Sequence, residues 1–318
     1  MPYFMMSNRK IIHSEPGEAL ASEMIYYVAE DAEAKKLTQF SVWQKVSAGD
    51  FRKRLTDIAS DFPILPDEDN ESQKHISLFI HGYNTGWREA AIRYADLCKR
   101  LYSGQKGIGT LVLYTWPSDG SVAGYLPDRE DARDSAPALA GALVDLHDHI
   151  VTMQRLAARI PARQCRAKIS VISHSMGNFV IQKALAIAAK KLNSPQLVTL
   201  IHQLVMVSAD VDNDLYQKDQ PGDSDGSLMA NLCYRIGALY TGLDQVLGAS
   251  AGLKHFGTRR LGRCGLSNRD EVWDNVFDID VTSLIDQSKS IHSAALESPK
   301  SVELIRKILI GVDRGFLP

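Results

Sequence analysis

Short apolar runs alternate with amphipathic stretches over most of the chain. Runs rich in β-branched and aromatic residues predict buried strands at HISLFI, GTLVLYTW, KISVIS, LVMVSADVD, RIGALYT and VFDID. Stretches with one apolar face predict helices at WREAAIRYADLCKRL (capped by Thr85), residues 128–156, IQKALAIAAKKL and SPKSVELIRKILIG. Because strands and helices take turns along the chain, we expect an α/β fold with a mostly parallel, doubly wound sheet flanked by helices.

The first 72 residues carry weaker patterns. Residues 2–6, 24–28 and 40–46 predict strands, Ser47 begins a helix, and the polar stretch 64–74 predicts a surface loop. A chain of 318 residues without an internal repeat suffices for one large domain or two smaller ones. We expect a single domain over 1–318, in which 1–72 form an N-terminal extension with the first strands and 213–230 form a candidate lid.

The stretch KISVISHSMGNFV (residues 168–180) combines a strand, a tight turn and the start of a helix. Ser175 lies at the tip of the turn, and the small residues Ser173 and Gly177 stand two positions to either side. This arrangement is typical of a nucleophile elbow, in which a strained turn raises a serine hydroxyl above the sheet. Ser173 stands where the G-x-S-x-G pattern has its first glycine, a departure that such a turn can accept. We therefore predict Ser175 as a nucleophile.

A serine hydroxyl needs a base to take its proton, normally a histidine that is oriented by a carboxylate. Three histidines follow Ser175 in the chain: His202, His255 and His292. His202 precedes a predicted strand, at the wrong end of the sheet, and His255 lies in a stretch that predicts a helix and a basic turn. His292 lies in the loop between the last predicted strand and the last helix. This is where a fold of this kind places the base, so we predict His292 in that role.

The acid is expected between the nucleophile and the base in the chain. Asp244, which follows the predicted strand RIGALYT, is the first choice. Asp210 and Asp212 follow the preceding strand and stay open as alternatives, although aspartates in loops also form caps and turns. Asp278 and Asp280 alternate with apolar residues, so we expect them on the solvated face of a strand.

The negative charge that develops on a substrate carbonyl needs two hydrogen-bond donors. We predict the amide of Met176, next to the nucleophile, as one donor and the amide of Tyr83 as the other. Tyr83 follows the strand HISLFI, where the pair His81-Gly82 permits close approach of the backbone. We expect His81, Gly82 and Gly177 to support the site, with His81 as a buried residue that fixes the loop rather than as an acid or a base.

Composition and charge argue against several classes of function. A formal charge of −2 gives no reason to expect nucleic acid or an anionic membrane as a partner. No apolar run approaches the length of a bilayer span, and the start of the chain lacks the pattern of a secretion signal. Four scattered cysteines without a C-x-x-C pair favour free thiols and a cytoplasmic location. His147 and His149 point away from each other on a predicted helix, and the sequence has no H-E-x-x-H motif and no P-loop, so we expect no metal site and no cofactor.

The motifs HGYN, SHSMGN and GLD, together with the loop around His292, resemble those of the α/β-hydrolase superfamily. The similarity extends to FMMSNRK, YTWPSDG, VSADVD and HSAALESP and points to a bacterial group of predicted hydrolases catalogued as a domain of unknown function. It covers the chain from the strand HISLFI to the end, and the N-terminus weakly. The resemblance implies a triad of Ser175, Asp244 and His292, with Tyr83 and Met176 as oxyanion donors, and it implies ester hydrolysis without defining a substrate.

Together these features predict a serine esterase that forms an acyl-enzyme on Ser175 and acts on a small-molecule ester without a cofactor. Acyl transfer, thioester cleavage or amide cleavage on the same residues are alternative activities. A binding scaffold without turnover is a second class of function. A complete set of nucleophile, base and acid argues against that class.

Overall fold

The computed structural model describes residues 2–30, 32–62, 73–118, 124–157, 167–192, 199–254 and 257–318. The chain forms two compact units, Met1–Ser170 and Val171–Pro318, which we call unit 1 and unit 2. The single domain expected from the sequence stays a prediction. Most of the polar stretch 64–74, expected as a surface loop, lies outside the described residues.

Five strands lie wholly within the described part of unit 1: Tyr3–Ile12 (β1), Glu15–Ala29 (β2), Gln44–Val46 (β3), His75–Ile80 (β4) and Gly109–Thr115 (β5). Their spatial order is β3-β2-β1-β5-β4. The β1–β2 and β2–β3 pairs are antiparallel, whereas β1 and β4 each pair parallel with β5. The strand predicted over 40–46 is wrong in its first half, because Phe40–Val42 form a 3₁₀ turn that the amide of Trp43 closes on the carbonyl of Phe40.

Three α-helices accompany these strands in the described part of unit 1: Ala48–Ser60 (α1), Trp87–Leu97 (α2) and Tyr125–Ala157 (α3). Ser47 caps α1 as predicted, since its hydroxyl accepts from the amide of Asp50 at 3.0 Å. The prediction that Thr85 caps α2 is wrong, because Gly86 holds the cap position. The amide of Thr85 donates instead to the hydroxyl of Ser118 at 3.1 Å, which fixes the loop before the helix.

Unit 2 begins within strand β6 (Lys168–His174) and continues through Ile201–Val207 (β7), Cys233–Tyr240 (β8) and Val276–Asp280 (β9), in that spatial order. The β7–β8 and β8–β9 pairs are parallel. The α-helices described in this unit are Gly177–Lys191 (α4), Asp225–Leu232 (α5), Gln245–Ala249 (α6), Leu261–Cys264 (α7), Ile291–Glu297 (α8) and Pro299–Leu309 (α9).

The strands of unit 2 form a buried layer, as their continuous apolar runs predict. All of β6 after Lys168 and all of β7 after His202 are buried, and α9 packs against β7. The observed alternation of parallel strands and helices confirms the predicted α/β class, with a mostly parallel sheet flanked by helices. Parallel strands end at the same edge of a sheet, so the residues that follow β6 and β8 come together there.

The prediction that Asp278, on β9, lies on a solvated strand face is wrong. Its carboxylate is buried and accepts from the amide of Leu266 at 2.8 Å and from the guanidinium of Arg269 at 2.8 Å. Leu266 and Arg269 belong to the loop before β9, and the alternation of residues along a strand cannot predict contacts with a loop. Asp280 is exposed, as predicted.

The segment 213–230, expected as a candidate lid, packs into unit 2 through a buried tyrosine. The hydroxyl of Tyr216 faces the sulfur of Met206 at 3.1 Å and that of Met229 at 3.7 Å. The end of the segment forms the first turns of α5. Its role as a lid stays a prediction.

Candidate active site

The turn between β6 and α4 holds Ser175 in a strained backbone conformation. Its φ angle is +52°, in the left-handed region that residues with a side chain adopt at a cost. The amide of Ser175 donates to the carbonyl of Val207 (3.0 Å), and its carbonyl accepts from the amide of Asp210 (3.2 Å). These two bonds tie the turn to the end of β7. The strand, turn and helix are those that the sequence predicts for residues 168–180.

Ser173 and Asn178 explain why this turn accepts a serine in place of the first glycine. The Ser173 hydroxyl donates to Asn178 Oδ1 at 2.5 Å. That bond turns the amide nitrogen of Asn178 toward the carbonyls of Ser173 (3.2 Å), Ser175 (3.0 Å) and Val207 (3.3 Å). Both side chains are fully buried, so each bond satisfies a polar group that water does not reach. Sequence reasoning missed Asn178. It could have been noticed as a polar residue in the otherwise apolar first turn of a helix.

His292 lies on the short helix α8 rather than in the loop that the sequence predicts. Its Nε2 atom is 2.8 Å from Ser175 Oγ, and its side chain is 14% exposed. The loop prediction is wrong because the alanine-containing run HSAALE extends a helix up to Ser298. The remaining histidines that follow Ser175 lie elsewhere: His202 is in β7 and stacks on a tyrosine, and His255 lies outside the described residues.

Asp244 faces the other ring nitrogen of His292. Its Oδ2 atom is 2.7 Å from His292 Nδ1, while Oδ1 accepts from the amide of Leu247 at 3.0 Å and caps α6. Arg263 donates to the carbonyl of Asp244 at 2.5 Å. These contacts hold the fully buried carboxylate in one orientation. A hydroxyl, an imidazole and a carboxylate linked in this way can move the hydroxyl proton to the imidazole and stabilise the imidazolium that forms.

Asp210 and Asp212, the alternatives for the acid, pair with a buried arginine. Arg260 Nε donates to Asp210 Oδ1 at 2.9 Å, and the guanidinium also forms an ion pair with Asp212. A further bond of 2.6 Å joins Arg260 to the carbonyl of Asp210. These contacts anchor the start of α7 to the residues that follow β7. The carboxylate at His292 Nδ1 is that of Asp244.

Met176 and Gly177 form the junction between the turn and α4. Met176 is buried at the N-cap position, and Gly177 is the first residue of the helix. The first amides of a helix have no acceptor within it, and the positive end of the helix dipole favours negative charge. The amide of Met176, directly after Ser175, is therefore in a position typical of an oxyanion donor.

His81 and Gly82 lie in unit 1, directly after β4. His81 is fully buried, and its Nε2 accepts from the amide of Trp116 (3.2 Å), so the ring proton lies on Nδ1 and is donated to the carbonyl of Gly82 (2.9 Å). Burial, together with the nearby Arg9 guanidinium, lowers the pKa of His81 well below its ordinary value. His81 is thus a neutral imidazole bonded to its own loop, and its support of the site stays a prediction. The role of Tyr83 as an oxyanion donor stays a prediction.

Arg9, within the motif FMMSNRK, is a buried arginine to which sequence reasoning gave no role. Its guanidinium donates to Thr115 Oγ1 (2.8 Å) and to the carbonyls of Thr85 (2.8 Å) and Ser118 (3.1 Å). Burial lowers the pKa of Arg9 to about 10, a value at which the side chain is still charged at neutral pH. Arg9 therefore joins the ends of β1 and β5 to the loop after β4 within unit 1.

No three His, Cys, Asp or Glu side chains among the described residues are grouped so that they could hold a metal ion. None of the helices described is both long enough and apolar enough to cross a bilayer.

Solved structures that are similar to the chain at low sequence identity include a lipase, an esterase and an α/β-hydrolase. It is 12% identical to lipase B of Aspergillus fumigatus, with a TM-score of 0.37, covering 76% of this chain and 54% of the lipase. An esterase of Pyrobaculum calidifontis is 12% identical with a TM-score of 0.35, covering 83% of this chain and 91% of the esterase. The peroxisomal α/β-hydrolase Lpx1 of Saccharomyces cerevisiae is 9% identical with a TM-score of 0.40, covering 98% of this chain and 90% of Lpx1.

Sequence comparison assigns most of the chain to one family. The uncharacterized protein alr1448 of Nostoc sp. (strain PCC 7120) is 26% identical over 175 residues, which are 48% of this chain and 40% of that relative. The chain thus spans less than half the length of this curated relative. The sequence profile of the family described as "Alpha/beta hydrolase of unknown function (DUF900)" matches residues 64–312. With more than half of its residues matched by this profile, the chain belongs to that family of α/β-hydrolases.

Proposed function

We propose that this protein is a serine esterase that hydrolyses carboxylic esters through an acyl-enzyme on Ser175. The observation that carries the proposal is a chain of two hydrogen bonds. One joins Ser175 Oγ to His292 Nε2 (2.8 Å), and the other joins His292 Nδ1 to Asp244 Oδ2 (2.7 Å). Membership of an α/β-hydrolase family supports hydrolysis, and serine-dependent acyl transfer requires these three groups.

In the acylation step, Ser175 Oγ attacks the carbonyl carbon of the ester while His292 Nε2 takes the hydroxyl proton. The oxygen of the tetrahedral intermediate carries the negative charge and accepts a hydrogen bond from the amide of Met176. The second donor predicted from the sequence is the amide of Tyr83. When the intermediate collapses, the alkoxide takes the proton from His292 and leaves as an alcohol, and the acyl group stays on Ser175.

Deacylation repeats the sequence with water in place of serine. His292 takes a proton from water as the water oxygen attacks the acyl carbon. The Ser175 oxygen then leaves and receives that proton from His292, so a carboxylic acid departs and the enzyme returns to its starting state. Throughout both steps the Asp244 carboxylate stabilises the imidazolium and keeps Nε2 directed at the serine.

The experiment is hydrolysis of p-nitrophenyl esters from acetate to palmitate by the wild-type protein and by Ser175→Ala. We expect turnover in the wild type and a loss on the order of 10⁶-fold in kcat in the variant, because one member of a cooperating triad is removed. Ser283→Ala, an exposed serine of the same unit, is the matched control and should keep wild-type turnover. Turnover that persists in Ser175→Ala would contradict the proposal.

A fluorophosphonate distinguishes the proposed esterase from the other classes of function. It should modify Ser175 in the native protein, with the adduct located by peptide mass spectrometry. A native protein that neither reacts with the probe nor turns over esters would instead be a binding scaffold with this fold. Faster turnover of thioesters or amides, or acyl transfer to an added alcohol, would assign that activity to the same three residues.

A further inference from the structure

His174, the residue before the proposed nucleophile, contacts the proposed base. It is the last residue of β6 and is 3% exposed. Its Nε2 atom is 2.9 Å from the carbonyl oxygen of His292. The two rings lie 5.0 Å apart between centroids and are tilted by 53°. The steps described above leave this second histidine without a role.

The contact with a carbonyl oxygen determines which nitrogen of the His174 ring carries a proton. A carbonyl oxygen only accepts hydrogen bonds, so the proton lies on Nε2 of His174 and is donated to His292. A nitrogen that donates to the backbone is not available to take the serine proton. His174 therefore acts on His292 through the main chain.

The first turn of helix α8 is only weakly stabilised by its own residues. It has only seven residues, and its N-cap, Ser290, makes no side-chain capping bond. Helices this short are marginal in isolation, and the residues 286–290 that lead into α8 are exposed. The bond from His174 joins the second residue of α8 to the buried end of β6. The strand that presents the nucleophile thereby also supports the backbone of the base.

We propose that His174 is a positioning residue that sets the placement of His292 relative to Ser175, and this inference rests on the function proposed for those two residues. His292 must meet Ser175 Oγ at 2.8 Å and Asp244 Oδ2 at 2.7 Å together. Reacting groups must be held to within about 0.5 Å, and a misplacement of about 1 Å can cost about 10²-fold in rate. Loss of the His174 bond therefore lowers kcat and changes KM little.

Two substitutions separate the hydrogen bond from the shape of the ring. His174→Phe keeps a planar ring without a donor, and His174→Gln supplies an amide donor at a similar reach. We expect the phenylalanine variant to lose about 10- to 100-fold in kcat with a nearly unchanged KM, and the glutamine variant to recover most of that loss. His202→Phe, a histidine of β7 that stacks on Tyr234, is the matched control and should keep wild-type kinetics. Wild-type kcat in His174→Phe, or equal losses in both His174 variants, would overturn the proposal.

Histidine ¹⁵N NMR of the wild-type protein tests the same bond without substrate. His174 should be the Nε2–H tautomer, and an Nδ1–H tautomer would overturn the proposal even if the phenylalanine variant does not fold. The resonance of the His292 Nδ1 proton, which is bonded to Asp244, should shift in His174→Phe and be retained in His174→Gln. Because these readouts need no turnover, a protein that is inert toward esters and fluorophosphonate would refute the esterase proposal while the His174–His292 bond is still tested.

Discussion

Asp244 combines a structural and a proposed catalytic contact in one side chain. One carboxylate oxygen accepts from the amide of Leu247 and caps α6, and the other faces His292 Nδ1. An asparagine at this position keeps the size and one carbonyl oxygen. Its amide nitrogen, however, is a donor, and a donor facing Nδ1 favours the imidazole tautomer with its proton on Nε2. That tautomer cannot accept the proton of the serine.

We therefore expect Asp244→Asn to lower kcat by about 10⁴-fold toward a p-nitrophenyl ester. Asp212→Asn is the matched control, because the Asp212 side chain is 51% exposed and pairs with Arg260 rather than with His292. This variant should keep kcat within a few-fold of the wild type. Steady-state kinetics of both proteins measure the difference. A larger loss in Asp212→Asn than in Asp244→Asn would reverse the assignment of the acid.

At the residue scale, sequence alone identifies groups that follow a local pattern and misses groups defined by distant partners. Ser175 is recognisable because the small residues that a strained turn needs lie within two positions of it. His174 is part of the same motif, but its partner is the carbonyl of a residue 118 positions away. Arg260 likewise donates a hydrogen bond to Asp210, which is 50 positions away in the chain. No periodicity encodes these pairs, so they become visible only in the folded chain.

At the element scale, the presence of most strands is predicted well, whereas the bounds of the N-terminal strands and the ends of the helices are predicted less well. Strand β4 is mostly apolar and is buried along its whole length, and its predicted bounds are confirmed. Thr85 does not cap α2, and its amide donates instead to the hydroxyl of Ser118 in another loop. Helix α8 forms where a loop was expected, and a contact from β6 holds it. The bond at Thr85 shows a tertiary contact that overrides a local cap signal, whereas the alanine-containing run of α8 is a local helix signal that the prediction missed.

Two helical glycines illustrate how packing determines what an element tolerates. A Cβ atom on Gly262, in α7, would lie 2.1 Å from the backbone nitrogen of Ala209. Because that distance is a steric clash, α7 would have to move away from the residues that follow β7. A Cβ atom on Gly141, in α3, would meet nothing within 4 Å. Glycine in a helix costs about 1 kcal/mol relative to alanine when nothing opposes the side chain.

We therefore expect opposite effects of the same substitution in these two helices. Gly262→Ala should lower the free energy of unfolding by about 1–3 kcal/mol through overpacking. Gly141→Ala should raise it by about 0.5–1 kcal/mol. Urea unfolding of each variant beside the wild type measures both changes. Destabilisation by Gly141→Ala, or an unchanged stability in Gly262→Ala, would show that the packing around that glycine differs from the one described.

At the scale of the whole molecule, buried polar groups in the interior of unit 1 couple stability to pH. His81 is buried beside Trp116, and its ring is neutral because burial and the Arg9 charge lower its pKa well below the ordinary value of about 6.5. In the unfolded chain the same histidine takes up a proton as the pH falls below that ordinary value. The unfolded state then binds one proton more than the folded state, so stability decreases as the pH decreases.

The decrease in stability at low pH can be measured as the slope of the free energy of unfolding against pH. Below about pH 6.5, and above the lowered pKa of the folded state, His81 should contribute a loss of about 1.4 kcal/mol in the free energy of unfolding for each unit of decrease in pH. His81→Gln removes the titrating group, so the variant should be less stable near neutral pH but less sensitive to acid. Urea unfolding followed by tryptophan fluorescence reports the comparison, because Trp116 stacks on His81 at 5.3 Å between ring centroids. Equal pH slopes in the two proteins would mean that His81 takes up its proton in the folded state over the same pH range as in the unfolded state. Below that range, the loop after β4 would then be held by a charged imidazole rather than a neutral one.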